Sequence, residues 1–210
     1  MYNPPAFRED RPEALRALID AARLVLLVSN GPGGVPEASH LPMFLEPEEG
    51  PHGTLYGHLA RPNPHCAALA AAGRALAVLP GPEAYVSPSL YPTKARNPRV
   101  VPTWNYVAVH ATGPVEVFDD PARLRRVIER LTERHEAGRA NPWSVSDAPE
   151  QFVQSMLKGI TGIALRIETL EGKRKLSQNR GAEDQQGVRV GLAASADARD
   201  RAVAEAMGEG

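Results

Sequence analysis

Residues 57–73, GHLARPNPHCAALAAAG, set an arginine, an asparagine flanked by prolines and a run of alanines close together in the chain. Asn63 and Pro64 have the residue types of a helix cap and a first helical residue, and Gly73 that of the residue that ends a helix. A helix starting there aims unpaired backbone N–H groups and a partial positive charge at whatever precedes it, an arrangement suited to an anion. Arg61 adds a planar fork of donors that matches a phosphate. Alanines at 67, 68, 70, 71 and 72 let the helix lie close to a sheet or a flat ring. The same residues have a plainer reading, in which Asn63 only caps, Arg61 faces solvent and the alanines reflect helix propensity.

Other chemistry has less support. His40 and His58 sit mid-strand, where a histidine is more often a hydrogen-bonded core residue than a ligand. Ser39 and His40 are strand neighbours on opposite faces, which disfavours a Ser-His dyad between them. The single cysteine, Cys66, has no second cysteine for a bridge or a structural zinc site, so no metal is expected. Neither G-x-G-x-x-G nor a P-loop occurs. A loop carries Lys94, Arg96 and Arg99, and a late cluster, Lys173, Arg174 and Lys175, runs into Ser177, Gln178 and Asn179. Both read either as solvated charge or as part of a site.

The elements that must position these residues follow from periodicity. Asp10 and Glu13 have capping-box spacing before the stripe Leu15, Leu18, Ile19 and Ala22. Strands are expected over 24–29 and 39–45, joined by the turn Asn30-Gly31-Pro32-Gly33-Gly34, and over 54–60 and 74–79. Further β segments are expected near 84–87, over 100–112 and, beyond Gly113-Pro114, over 115–118. Asp120-Pro121 opens the longest helix, with Leu124, Val127, Ile128 and Leu131 as its apolar stripe and many arginines and glutamates around it. Asp147 and Glu150 repeat the capping-box spacing before a second helix, and a strand is expected near 163–167. After Leu192 the chain is helical by propensity without an apolar stripe.

With 20 prolines and 18 glycines among 210 residues, the pattern predicts a mainly β fold, a small antiparallel β-barrel with peripheral α-helices. The expected organisation is one domain over 1–192 and a polar tail over 193–210. A formal charge of -1, from 24 basic and 25 acidic residues, supplies no overall field for a polyanion. No apolar stretch is long enough to span a bilayer or to act as an export signal, so a soluble, reducing, cytoplasmic setting is expected and no membrane partner.

Seven blocks, MYNPPAFRED, SHLPMFL, GTLYGHLARPNP, AYVSPSLYPTK, VPTWNYVAVHATG, HEAGRANPWSVSDAP and LEGKRKLSQNR, occur in an order that resembles the PaiB-type family of FMN-binding negative transcriptional regulators. The resemblance runs from Met1 to about Gly191. It implies an FMN-binding split barrel like that of pyridoxamine-phosphate oxidase, with FMN as cofactor and a homodimer carrying a flavin site at each end of the subunit interface. By position, Ser39, His40, Leu41 and Pro42, with Gly57, His58, Leu59 and Ala60, would line the isoalloxazine and ribityl chain. Arg61 and Asn63 would approach the phosphate. Ser87, Ser89, Tyr91, Lys94, Thr103, Trp104 and Asn105 would complete the site, some of them from the second subunit, with Trp104 and Tyr106 equally suited to a dimer core. Lys175, Ser177, Gln178 and Asn179 would face the substrate side, and Arg174 stands where the family favours tryptophan.

Three functions remain open on these grounds. One is a flavin-binding regulator that acts on transcription indirectly, since no helix-turn-helix pattern is evident and the arginine-bearing helix also carries acids. The second is an FMN-dependent oxidoreductase of NAD(P)H:flavin type on a small substrate, with His58 and Tyr91 as first candidates. The third is haem binding through a histidine, a weak signal in a chain with His40, His58, His65, His110 and His135 spread along it.

Overall fold

The computed structural model describes residues 1–208, so the last two positions of the expected tail lie outside the described residues. The chain divides into two compact units, one of Met1–Leu18, Pro80–Val109 and the chain from Glu171 on, the other of Ile19–Leu79 and His110–Leu170.

The second unit holds the strands β2 (Val25–Asn30), β3 (Pro36–Leu41), β4 (Met43–Glu46), β5 (Thr54–Ala60) and β8 (Ile160–Arg166), and parts of β6 (Arg74–Val86) and β7 (Thr103–Phe118). Their hydrogen-bonded order is β3-β2-β6-β7-β8-β5-β4, and β2 runs antiparallel to β3 and β6, β5 to β4 and β8, and β7 to β8. Alternation does the sorting. In β2 the residues Val25, Leu27 and Ser29 are buried while Leu26 and Val28 are half-buried, and directly paired residues share a face. Leu26 therefore stands beside His40 and Val78, and Val28 beside Ala38 and Leu76, as a half-exposed, mostly apolar face. The opposite face of β2 and β3 receives α2 (His65–Ala72). On the other side of the unit, α3 (Pro121–Glu136) and α4 (Glu150–Leu157) cover Phe44, Phe118 and Ala164 with Leu124, Val127, Leu131, Val153 and Leu157. Here helical period and strand period agree, which is why this core was foreseeable.

The first unit contains β1 (Arg8–Glu9), α1 (Pro12–Ala21) through Leu18, most of β9 (Thr169–Lys175), α5 (Ala182–Ala193) and α6 (Ala198–Ala206). In it β9 pairs with β1 and with β7. Its core gathers Ala84, Val86, Tyr91, Val107, Leu176, Val188, Leu192 and Val203.

Several expectations are corrected. The strand from Arg74 does not stop at Leu79; β6 continues through Pro80, Gly81 and Pro82, and β7 runs unbroken through Gly113 and Pro114. A Cβ on Gly113 would stand 1.8 Å from the Arg166 carbonyl oxygen, so this glycine serves close strand approach rather than a turn. Ser39–Leu45 is two strands, β3 and β4, separated at Pro42. The capping box before α4 joins Ser144 and Asp147, not Asp147 and Glu150. LEGKRK is strand β9, α5 follows it, and the segment after Leu192 carries α6, whose small Val203, Ala204 and Ala206 are buried. Short side chains on a helix give a weak periodic signal even when the face they form is fully packed.

Candidate functional site

In the second unit the start of α2 is built around a chain of polar side chains. Asn63 Oδ1 accepts the backbone N–H of His65 at 2.9 Å, and its Nδ2 faces Ser39 Oγ at 3.4 Å. The His65 ring lies between two hydroxyls, Nδ1 at 2.8 Å from Ser39 Oγ and Nε2 at 3.1 Å from Ser29 Oγ. Ser29 and His65 are buried and Ser39 is half-buried. Burial holds the His65 ring below the ordinary imidazole range, partly offset by Glu37, so the neutral ring with one N–H and one lone pair is the favoured form. The helix begins one residue later than expected, with Pro64 at the N-cap and His65 first, and the sequence marks His65 only by its place directly behind Asn63-Pro64.

The anion cradle expected at this turn is largely used up internally. Besides His65, the N–H groups of Cys66 and Ala67 go to the carbonyls of Asn63 and Pro64. Arg61 donates to the Lys158 and Ile160 carbonyls at 2.8 and 3.0 Å and to Asp119 at 2.9 Å, which holds that carboxyl below its ordinary range. Gly57 is not an opening: a Cβ there would meet the Pro42 carbonyl oxygen at 2.8 Å and the Leu41 side chain at 3.1 Å. Leu41 and Leu59 are core residues, Pro42 is half-buried and Ala60 is exposed.

The two histidines of the expected lining separate. His40 is exposed on the half-buried apolar face with Leu26 and Val28, whereas Ser39 points at α2. His58 pairs with Gly162, and Gly162 with Phe118, on the face that α3 covers. Its Nδ1 is buried without a hydrogen-bond partner among the described residues, and desolvation lowers its pKa. On that face a cleft of about 320 Å³ is lined by Phe44, Tyr56, Phe118, Arg123 and Arg130 among others. Tyr56 stacks on Phe44, donates to Glu49 at 2.5 Å, and has its phenol pushed up to about 12 by burial and by that carboxylate.

In the first unit the structure brings the middle and late segments together. Lys175 Nζ donates to Thr103 Oγ1 at 2.8 Å and to the Trp104 carbonyl. Burial, with Lys173 and Arg180 nearby, lowers the Lys175 pKa. Asn105 and Ser177, both buried, exchange hydrogen bonds at 3.0 and 3.2 Å, and Ser177 adopts φ 67°, an uncommon conformation for a residue with a Cβ. Gln178 bridges the Leu176 N–H and the Arg174 carbonyl, Asn179 is exposed, and Trp104 is 53% exposed. Arg174 is not a solvated charge: it is buried and donates to the Ala206 carbonyl of α6 at 2.7 Å. Ser87 accepts from the Ser89 N–H and hydroxyl, capping a short turn, and Lys94 is exposed. Tyr91 is buried under the Arg180 guanidinium, 4.7 Å from its ring, with its hydroxyl unpartnered among the described residues.

Residues 1–169 match the family described as "Putative FMN-binding domain". Protease synthase and sporulation protein PAI 2 of Bacillus subtilis is 31% identical, over 90% of this chain and 87% of its own length. An uncharacterized protein of Aspergillus fumigatus is 36% identical, over 74% of this chain and 76% of its own. Among solved structures, an FAD and haem binding protein from Mycobacterium smegmatis superposes with a TM-score of 0.60 at 18% identity, over 85% of this chain and 78% of that one. The fold is that of the pyridoxamine-phosphate-oxidase-like split barrels.

Proposed function

The chain belongs to this FMN-binding family, and from that premise we propose that it binds FMN as a homodimer and influences transcription without gripping DNA itself. The observation that carries the flavin reading is the Ser29-His65-Ser39-Asn63 chain. It leaves a half-exposed hydroxyl, backed by buried polar groups, at the strand-to-helix turn. Hydroxyls and amides fit a phosphorylated polyol, and Thr103 beside the Lys175 ammonium offers a hydroxyl next to a cation in the first unit. On this reading Ser39 and Asn63 meet the phosphoryl end, Arg61 fixes the turn, and His40 lies against the apolar part of the flavin.

The homodimer reading rests on the face of Leu26, Val28, Leu76 and Val78, alternating apolar residues that are only half-buried in one copy. Indirect regulation rests on the arginines of α3. Arg123 is chelated by Glu116 at 2.6 and 2.7 Å, Arg125 pairs with Glu129 and Glu150, and Arg130 with Glu46. Arginines paired in this way offer little to a phosphate backbone. An FMN-dependent oxidoreductase is favoured by one feature, the partly desolvated Lys175 beside Thr103 and Trp104.

The test is direct. Titration of FMN into the purified protein is expected to quench flavin fluorescence with saturation at micromolar protein, and a Ser39→Ala variant is expected to bind about tenfold more weakly. No quenching at micromolar protein ends the flavin reading. A shift of DNA mobility at low salt ends the indirect one.

A further inference from the structure

Two of the links at the start of α2 can each run in either direction, and their directions are coupled. The His65 ring touches a hydroxyl at each nitrogen, and a hydroxyl donates or accepts equally well. The Asn63 amide has no such freedom. Its Oδ1 is fixed by the His65 N–H, so its Nδ2 donates toward Ser39 Oγ. Ser39 therefore already accepts one bond, and the neutral imidazole decides the rest.

If His65 carries its proton on Nε2, it donates to Ser29, its Nδ1 accepts a hydrogen bond from the Ser39 hydroxyl, and Ser39 has only a lone pair to present outward. If it carries the proton on Nδ1, Ser29 donates to Nε2, Ser39 accepts from the ring, and the Ser39 hydroxyl proton is left for a ligand. Ser29 is buried, and its hydroxyl can either accept from Nε2 or donate to it. We propose that His65 is a specificity-determining positioning residue: its tautomer sets whether Ser39 donates or accepts, and the Nδ1–H form makes Ser39 a donor to a phosphoryl group.

This inference rests on the reading that Ser39 meets the phosphoryl end of FMN, and the test separates the two. The full chain, labelled with ¹⁵N-histidine, is compared free, with FMN, and with riboflavin, which lacks the phosphate; flavin binding is followed separately by fluorescence quenching. The expected result is a His65 ring spectrum of the Nδ1–H tautomer with FMN but not with riboflavin. A purely structural histidine would not respond to the phosphate. His65→Leu is expected to lower the preference for FMN over riboflavin roughly tenfold, and Ser39→Ala to lower it to a similar degree. Identical ring shifts with both flavins, an Nε2–H or an imidazolium spectrum with FMN, overturn the inference while the flavin site stands. Absence of FMN quenching removes both. The ring spectra come from the unaltered protein, so a His65→Leu variant that fails to fold does not decide the matter.

Discussion

Asn63 performs two tasks with one amide, capping His65 through Oδ1 and tying α2 to β3 through Nδ2. Asn63→Ala is expected to cost about 1 kcal/mol, read from the urea midpoint, and to weaken FMN quenching as well, because both links go at once. Asn63→Asp keeps the cap and loses only the donor, so it is expected to recover most of the stability without the flavin affinity. The imidazoles give a pH dependence of definite sign. Burial holds both His58 and His65 below the ordinary value of 6.5, with Glu37 partly opposing at His65. The unfolded chain takes up protons there while the folded chain does not, so stability is whole above 6.5 and falls as pH drops through that value toward the folded ones. The denaturation midpoint is expected to fall between about pH 7.5 and about pH 5.5, and less so in His58→Leu, which removes one depressed imidazole and its unpartnered Nδ1. An equal fall in the variant would assign the effect elsewhere. At this scale sequence showed residue types but not commitments. Arg61 and Asn63 lie at the turn between β5 and α2, yet nothing in the spacing reveals that Lys158, Ile160 and Asp119, far along the chain, occupy the guanidinium.

Elements were legible where period and cap agreed. Strand β5 over Thr54–Ala60, α3 behind its Asp120 cap, and α2 ending at Gly73 with φ 65° follow directly from the pattern. They were illegible where a breaker residue is tolerated for a tertiary reason, as at Pro80 and Pro82 in β6 and at Gly113 in β7. Three glycines turn this distinction into a measurement. A Cβ at Gly113 meets backbone at 1.8 Å, one at Gly162 meets the Phe118 ring at 2.3 Å, and one at Gly73 meets nothing within 4 Å among the described residues. Gly73→Ala is expected to cost only the left-handed backbone, about 1 kcal/mol. Gly162→Ala must displace a ring and is expected to cost about 2 kcal/mol, and Gly113→Ala, which opposes backbone, about 3 kcal/mol or more. Urea midpoints in any other order would mean that β7 and β8 give way more easily than their register implies.

For the molecule as a whole, the balanced charge and the paired arginines on α3 turn attention from nucleic acid to self-association. The face formed by Leu26, Val28, Leu76 and Val78 alternates correctly with a buried face, so it costs nothing in folding to keep it apolar, but in a lone copy it gains little. A second copy would bury it, and His40 at its margin would then lie at the junction of two chains. Val28→Lys places a charge in the middle of that face without touching the cores on the other side of β2 or under α3. It is expected to leave the far-ultraviolet spectrum unchanged and to convert the sedimenting species from two chains to one. If the flavin is held by residues from both copies, FMN quenching falls with the dimer, at any FMN concentration that spares the unaltered protein. If the variant sediments as one chain and still binds FMN undiminished, each copy holds its flavin alone, and the residues around Ser39 suffice.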